Sequence, residues 1–197
     1  MAKLDGSKRW EVLAPHANAE QRLQSQLNVS PLVARVMAAR GFDANEEAQR
    51  FLQPDLDRDW FDPYTIPHME QAVTKIVEAI AADKIIAVFG DFDVDGMTST
   101  CLLTLALRRM GANQVRAYIP HRFDEGYGLS VAALDRVMED GKPDLIITVD
   151  NGISAAKEVT WLLEQGIDVV ITDHHEPADL VPQGVPVVDP KLQPSHC

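Results

Sequence analysis

An open, parallel, Rossmann-like α/β sheet flanked by helices, preceded by a small helical lead-in, is the fold class that the sequence predicts. Three observations carry it. From Lys84 onward a unit repeats in which a short apolar run is followed by polar or glycine punctuation, a helical stretch, a glycine and another apolar run, the alternation of βαβ units. The apolar runs do not alternate with polar residues, as suits strands covered on both faces by helices. With 46% hydrophobic residues in 197, the chain can bury the core of one α/β domain plus an appendage.

The elements follow in order. Residues 1–70 read as the helical lead-in: Ser30-Pro31 opens an apolar-periodic stretch (Leu32, Val33, Val36, Met37) closed by Gly41, and Asn45-Glu46-Glu47 opens another that runs through Phe51-Leu52. Pro54, Pro63 and Pro67 punctuate a linker-like segment, and a helix over 68–82 carries Ala72, Ile76 and Ile80 on one face. Residues 71–197 are expected to form the main domain. Its first strand is 85–89 and its first helix 97–110, with Gly111 as a left-handed cap; the second strand is 115–119. After a loop over 120–129, Ser130 caps a helix that ends at Gly141, and the third strand is 145–149. Ser154 is expected to cap the next helix, Gly166 to end it, and strands follow at 168–172 and 184–188.

Composition narrows the function. A net charge of −12 argues against a broad basic surface of the kind that grips nucleic acid indiscriminately, so basic surface for such a substrate must come from elsewhere. The two cysteines, Cys101 within a helical stretch and Cys197 at the last position, suggest neither a disulfide framework nor a thiolate zinc site, and Cys101 reads as helix core. No run of eighteen apolar residues and no secretory leader is seen, which points to the cytoplasm. Walker-type loops, a Gly-x-Gly-x-x-Gly fingerprint, His-Glu-x-x-His and zinc cysteine pairs are missing.

The acidic residues fall where a parallel sheet binds ligands. Asp91, Asp93 and Asp95 follow the first strand, Asp150 the third, and Asp173-His174-His175 the fourth, all at carboxyl ends. Each cluster has a bland reading. Asp-x-Asp-x-Asp-Gly could be an acidic turn or part of a calcium loop, although Leu102 stands where an EF-hand needs glutamate and a strand precedes it. Asp150-Asn151-Gly152 is ordinary turn chemistry, Asp173 could cap the segment after its strand, and His174 and His175 could be surface residues. Their convergence on one sheet edge favours a shared site. Carboxylates crowded within a few ångströms repel unless a proton or cation lies among them. Carboxylate and imidazole donors suit Mn²⁺ or Mg²⁺, and there are enough for two ions, which in phosphoester cleavage lie roughly 3.5–4 Å apart.

Three stretches, Val88-Phe89-Gly90-Asp91-Phe92-Asp93-Val94-Asp95-Gly96-Met97-Thr98-Ser99-Thr100, Thr148-Val149-Asp150-Asn151-Gly152-Ile153-Ser154 and Thr172-Asp173-His174-His175, resemble the first motifs of the DHH superfamily of phosphoesterases. The resemblance is strongest to its bacterial single-strand-specific exonucleases, and extends to Lys8-Arg9-Trp10, Phe51-Leu52-Gln53-Pro54 and His121-Arg122-Phe123-Asp124-Glu125-Gly126-Tyr127-Gly128-Leu129. It implies a metal-dependent nuclease of DNA recombination and repair that removes nucleotides from the 5′ end of single-stranded DNA with Mn²⁺ or Mg²⁺. Asp91 and Asp93 would hold one ion, Asp95 and His174 the other, Asp150 would bridge them, and His175 would contact the scissile phosphate. Asp173 and Gly96 would be structural, Gly96 allowing close backbone approach. Arg122 is the candidate for bidentate phosphate binding. The implied partners are single-stranded DNA, a single-strand-binding protein and a RecQ-type helicase.

Two departures accompany the resemblance. Phe89 stands where manganese-dependent inorganic pyrophosphatases of the superfamily have histidine, and the chain ends at Cys197, before the superfamily's fourth acidic motif and its Gly-Gly-His-containing substrate-binding domain. A fragment that is inactive by itself is the expectation. Competing readings are a phosphodiesterase acting on nano-RNA or cyclic dinucleotides, a pyrophosphatase, and a non-catalytic replication module, against which the intact carboxylates and histidines stand.

Overall fold

The structure, a computed structural model, describes residues 18–121 and 128–192. Lys8-Arg9-Trp10, Arg122, Gly126 and Cys197 lie outside them. The chain divides after Trp60 into two compact units.

The first unit holds α1 (Ala19–Leu27), α2 (Pro31–Ala39), α3 (Glu46–Leu52) and the single turn α4 (Leu56–Asp59). Local chemistry sets their starts. Ser30 Oγ accepts from Val33 N with Pro31 at the first helical position, and the Asn45 side chain accepts from Ala48 N. Its core is Leu23 and Met37 set among Ala19, Ala34, Ala38 and Ala48. Small side chains at that contact let α1 and α2 approach closely. The buried face of α2 is therefore Ala34, Met37 and Ala38, and of the apolar stretch read from the sequence only Met37 is inside; Leu32 is 72% exposed.

The second unit begins with a 3₁₀ turn (Pro63–Thr65) and α5 (Met69–Ala81), followed by β1 (Ile86–Phe89), α6 (Val94–Arg109), β2 (Val115–Tyr118), α7 (Val131–Glu139), β3 (Leu145–Val149), α8 (Ala156–Glu164), β4 (Asp168–Thr172) and β5 (Val187–Val188). Among the described residues the sheet has five strands, all parallel, in the order β2-β1-β3-β4-β5. This is the open parallel sheet that the sequence predicts. Alternate residues of each strand feed two apolar layers. Phe89, Ala87 and Ile146 face a core that includes Leu134 and Val137 of α7 and Val159 and Leu162 of α8. Ile86, Val88, Leu145 and Ile147 face the other, with Ala72 and Ala79 of α5 and Leu107 of α6. The strand order reverses between β1 and β3, so a crevice opens there at the carboxyl edge.

Several boundaries differ from the sequence reading. Of the proline-punctuated stretch, Pro54 lies in the first unit and Pro63 and Pro67 in the second, where Ile66 and Met69 pack against the core; the division falls after Trp60 rather than near residue 70. Helix α6 starts at Val94, three residues before the expected Met97, because the Asp93 side chain accepts from Gly96 N and nucleates the helix early. That phase turns Gly96, Thr100, Thr104 and Leu107 inward and leaves Cys101 exposed rather than in the core. Ser154 does not cap α8: a turn closed by Ala155 N donating to Gly152 O precedes the helix, and Ala155 is the cap position. Strand β5 spans two residues. No helix among the described residues is long and apolar enough to cross a membrane.

Candidate metal centre

Three strand ends build the site. Beyond β1 the chain turns directly over the first turn of α6. A Cβ at Gly90 would collide with Thr100 Oγ1, and one at Gly96 would run into the backbone of Asp91, so both glycines are required by close approach. Asp91, lying against that helix turn, accepts from Phe92 N at 2.6 Å; Asp93 caps the helix, and Asp95 sits in its first turn.

Beyond β3 the backbone is forced. Asp150 has φ +62°, a left-handed conformation uncommon for any residue with a Cβ, and Gly152 follows at φ +108°. Asp150 N still donates to Thr172 O of β4 at 3.0 Å. Asn151, buried, donates from Nδ2 to Val149 O at 2.9 Å and to Phe89 O at 3.3 Å, the last carbonyls of β3 and β1.

Beyond β4, the buried Asp173 carboxylate organises the histidine pair. Its Oδ2 accepts from Ile153 N at 2.9 Å, and its Oδ1 accepts from His174 N at 2.7 Å, from His175 N at 3.1 Å and from His175 Nδ1 at 2.7 Å. Burial pushes the Asp173 carboxyl up, but those four donors outweigh it and hold it below the usual carboxylate range. In return the bond to Asp173 raises the His175 imidazole above its ordinary value, against the opposing effect of burial, with Asp150 and Asp91 adding to the rise.

The imidazole of His174 reaches back to β3. Its Nε2 donates to Asp150 Oδ1 at 2.8 Å, and the two histidine rings lie 4.7 Å apart. Burial pushes the Asp150 carboxyl up; the His174 bond lowers it, and the negative charge of Asp93 raises it further. Potential ligand atoms of Asp150, His174 and His175 all lie within 4.8 Å of one another, and among the described residues no other such group of three occurs.

Asp91, Asp93 and Asp95 are not in that tight group, but Asp91 and Asp95 border it. One cleft is lined by Asp91, Asp150, Asp173 and His175 with Gly152 and Glu158; the neighbouring one by Asp95, Asp150, Asp173 and His174 with Thr98 and Ser99. Asp150 and Asp173 line both. The donor set is carboxylate and imidazole without a thiol, and the Asp150 carboxylate is buried with no lysine or arginine partner among the described residues, an arrangement that suits a hard divalent cation. Asp189, just past β5, was missed by the sequence reading: it is fully buried, its Oδ1 accepts from Lys191 N, and burial pushes its carboxyl up. The signal was available, since it follows a strand as the others do.

The fold and the centre together define an open parallel α/β domain with a carboxylate–imidazole site at the carboxyl edge of its sheet. Residues 85–197 match the DHH family, N-terminal domain, and the chain belongs to that family. It is similar to the single-stranded-DNA-specific exonuclease RecJ of Bacillus subtilis (strain 168), 42% identical over 188 residues that are 95% of this chain and 24% of that protein. Among solved structures, exonuclease RecJ bound to manganese superposes with a TM-score of 0.61 at 38% identity, covering 68% of this chain and 34% of that one. RecJ of Thermus thermophilus in complex with Mn²⁺ gives 0.59 at 32% identity, covering 93% and 25%. The chain spans about a quarter of the length of the curated relatives it matches.

Proposed function

We propose that this chain forms the metal-binding part of a metal-dependent exonuclease that removes nucleotides from the 5′ end of single-stranded DNA, in recombination and repair. One observation carries the reading: Asp150, His174 and His175 converge within 4.8 Å at the carboxyl ends of β3 and β4, in a chain 42% identical to a single-stranded-DNA-specific exonuclease. The ion is Mn²⁺ or Mg²⁺, by donor chemistry and by the manganese in the two solved RecJ structures. Asp91 and Asp93 would hold one ion, Asp95 and His174 the other, and Asp150 would serve both. Bound divalent ions supply a deprotonated water as nucleophile and neutralise charge building on the phosphate.

The chain's own residues do the rest. His174 presents Nε2 toward Asp150 as the candidate ligand atom. Asp173 holds the His175 ring by Nδ1, which leaves Nε2 to donate to a phosphate oxygen, and the raised pKa favours the donating form. Asp173 itself is structural, since both of its oxygens are occupied by donors of this chain. Arg122 binds a backbone phosphate. With a net charge of −12, the extended grip on DNA comes from basic surface beyond this chain, and a single-strand-binding protein and a RecQ-type helicase are the partners.

The test is Mn²⁺-dependent release of nucleotides from 5′-labelled single-stranded DNA, run with this chain and with a chimera in which it replaces the matching segment of Bacillus subtilis RecJ. Release by the chimera that Asp150→Ala abolishes supports the reading. Release that survives Asp150→Ala, or a preference for nano-RNA or cyclic dinucleotides in the same assay, overturns it.

A further inference from the structure

The side chain of Asn151 stands apart from the candidate ligands and makes no contact with them among its hydrogen bonds, yet its place is unusual. The single Asn151 amide nitrogen donates to two strand-end carbonyls, Val149 O of β3 at 2.9 Å and Phe89 O of β1 at 3.3 Å. Phe89 is two residues before Asp91, and Val149 is the residue before Asp150. One buried amide therefore adds a side-chain tie to the ladder between the two strand ends from which two of the carboxylates depart, at the point where the strand order reverses. It also sits between the two positive-φ residues, Asp150 and Gly152, so it holds the turn that keeps Asp150 in its left-handed conformation.

The other end of the same amide is unspent. Asn151 Oδ1 is buried and has no hydrogen-bond partner, and the residue lines the cleft that Asp91, Asp150 and His175 also line. A buried acceptor left without a donor is costly unless something completes it, and an ordered water is the smallest donor that can. A hydroxyl-bearing or amine-bearing side chain is not offered to it by the described residues.

We propose that Asn151 is a positioning residue of the metal centre: its NH₂ group sets the spacing of the β1 and β3 carboxylates, and its carbonyl oxygen accepts a hydrogen bond from water held in the cleft. This rests on the metal-centre reading above. Outer partners of this kind influence metal affinity by about 10–100-fold in other metalloproteins.

Mn²⁺ binding to the full 197-residue chain, followed by the loss of the free-ion electron paramagnetic resonance signal, tests it with no need for turnover. Asn151→Leu removes both functions at similar volume, and Asn151→Ser keeps a hydroxyl that can serve Val149 O if the leucine variant does not fold. Asp150→Ala serves as the control for the metal centre itself, and circular dichroism melts without metal fix the folded fraction of every variant. The expected result is a tenfold or greater weakening of Mn²⁺ binding in variants that are fully folded at the assay temperature. Lower melting temperatures with unchanged Mn²⁺ affinity per folded molecule overturn the positioning role and leave the metal centre standing. Unchanged binding in Asp150→Ala, or none in the unaltered chain, overturns the metal centre and this inference with it.

Discussion

The two edges of the same parallel sheet use aspartate in opposite ways. At the amino edge Asp144 accepts from Ile85 N at 2.8 Å, Asp83 accepts from Asn113 Nδ2 at 3.1 Å, and Asp168 pairs with Lys75 at 2.6 Å and Lys84 at 3.4 Å, so each has a partner that settles it. At the carboxyl edge lie Asp91, Asp93, Asp95, Asp150, Asp173 and Asp189, and among the described residues none forms an ion pair with lysine or arginine; the side-chain partner of Asp150 is His174 and that of Asp173 is His175. The lysines at the amino edge lower the Asp168 carboxyl through the Lys75 hydrogen bond, whereas burial raises Asp150 and Asp189. One edge is built to be electrostatically complete, the other to be completed by something added.

Substitutions on the two edges should therefore separate function from stability. The largest effect is expected for Asp150→Ala, with Mn²⁺ affinity falling about a hundredfold, the upper end for lost support of a metal site. Isothermal titration reads it; undiminished affinity would erase the contrast between the edges. Next is Asp173→Asn, which offers an amide NH₂ where an anionic oxygen now accepts from backbone N–H groups and the His175 ring. A cost of about 1–3 kcal/mol in urea denaturation is expected, because one buried donor then faces another. A loss below about 0.5 kcal/mol would mean that the network is not needed to hold the turn.

The smallest effect is at the amino edge. Asp168→Asn should cost about 0.5 kcal/mol at pH 7, an estimate reduced for the exposure of the pair, and leave Mn²⁺ binding untouched. Its sign with pH is fixed. Because the folded-state pKa is lowered, the contribution is present above the unfolded carboxylate value of about 3.9 and disappears as pH falls through the lower folded value. The stabilities of the parent and the variant should converge on acidification through that window; a gap that widens there would reverse the assignment.

Much of this is legible in the order of residues alone. Apolar runs without alternation mark the buried parallel strands, and the position of each aspartate after a strand brings three distant clusters to one edge. What is not legible depends on geometry that sequence period does not carry. The early start of α6 comes from a side-chain cap, which places Asp95 within the helix and turns Cys101 outward. The exposure of Leu32 and Val36 comes from packing through alanines, which hydrophobicity undervalues. Asn151 reads as turn chemistry because the carbonyl that it reaches on β1 is 62 residues away.

The left-handed backbone of Asp150 has a consequence for how this sequence can change over time. Glycine would relax that φ and remove a buried charge, with a gain of about 1 kcal/mol. Under the proposed metal-binding role, folding and ion binding thus compete for one position, and a copy of this chain freed from that role would drift toward glycine there first, becoming sturdier as it lost it.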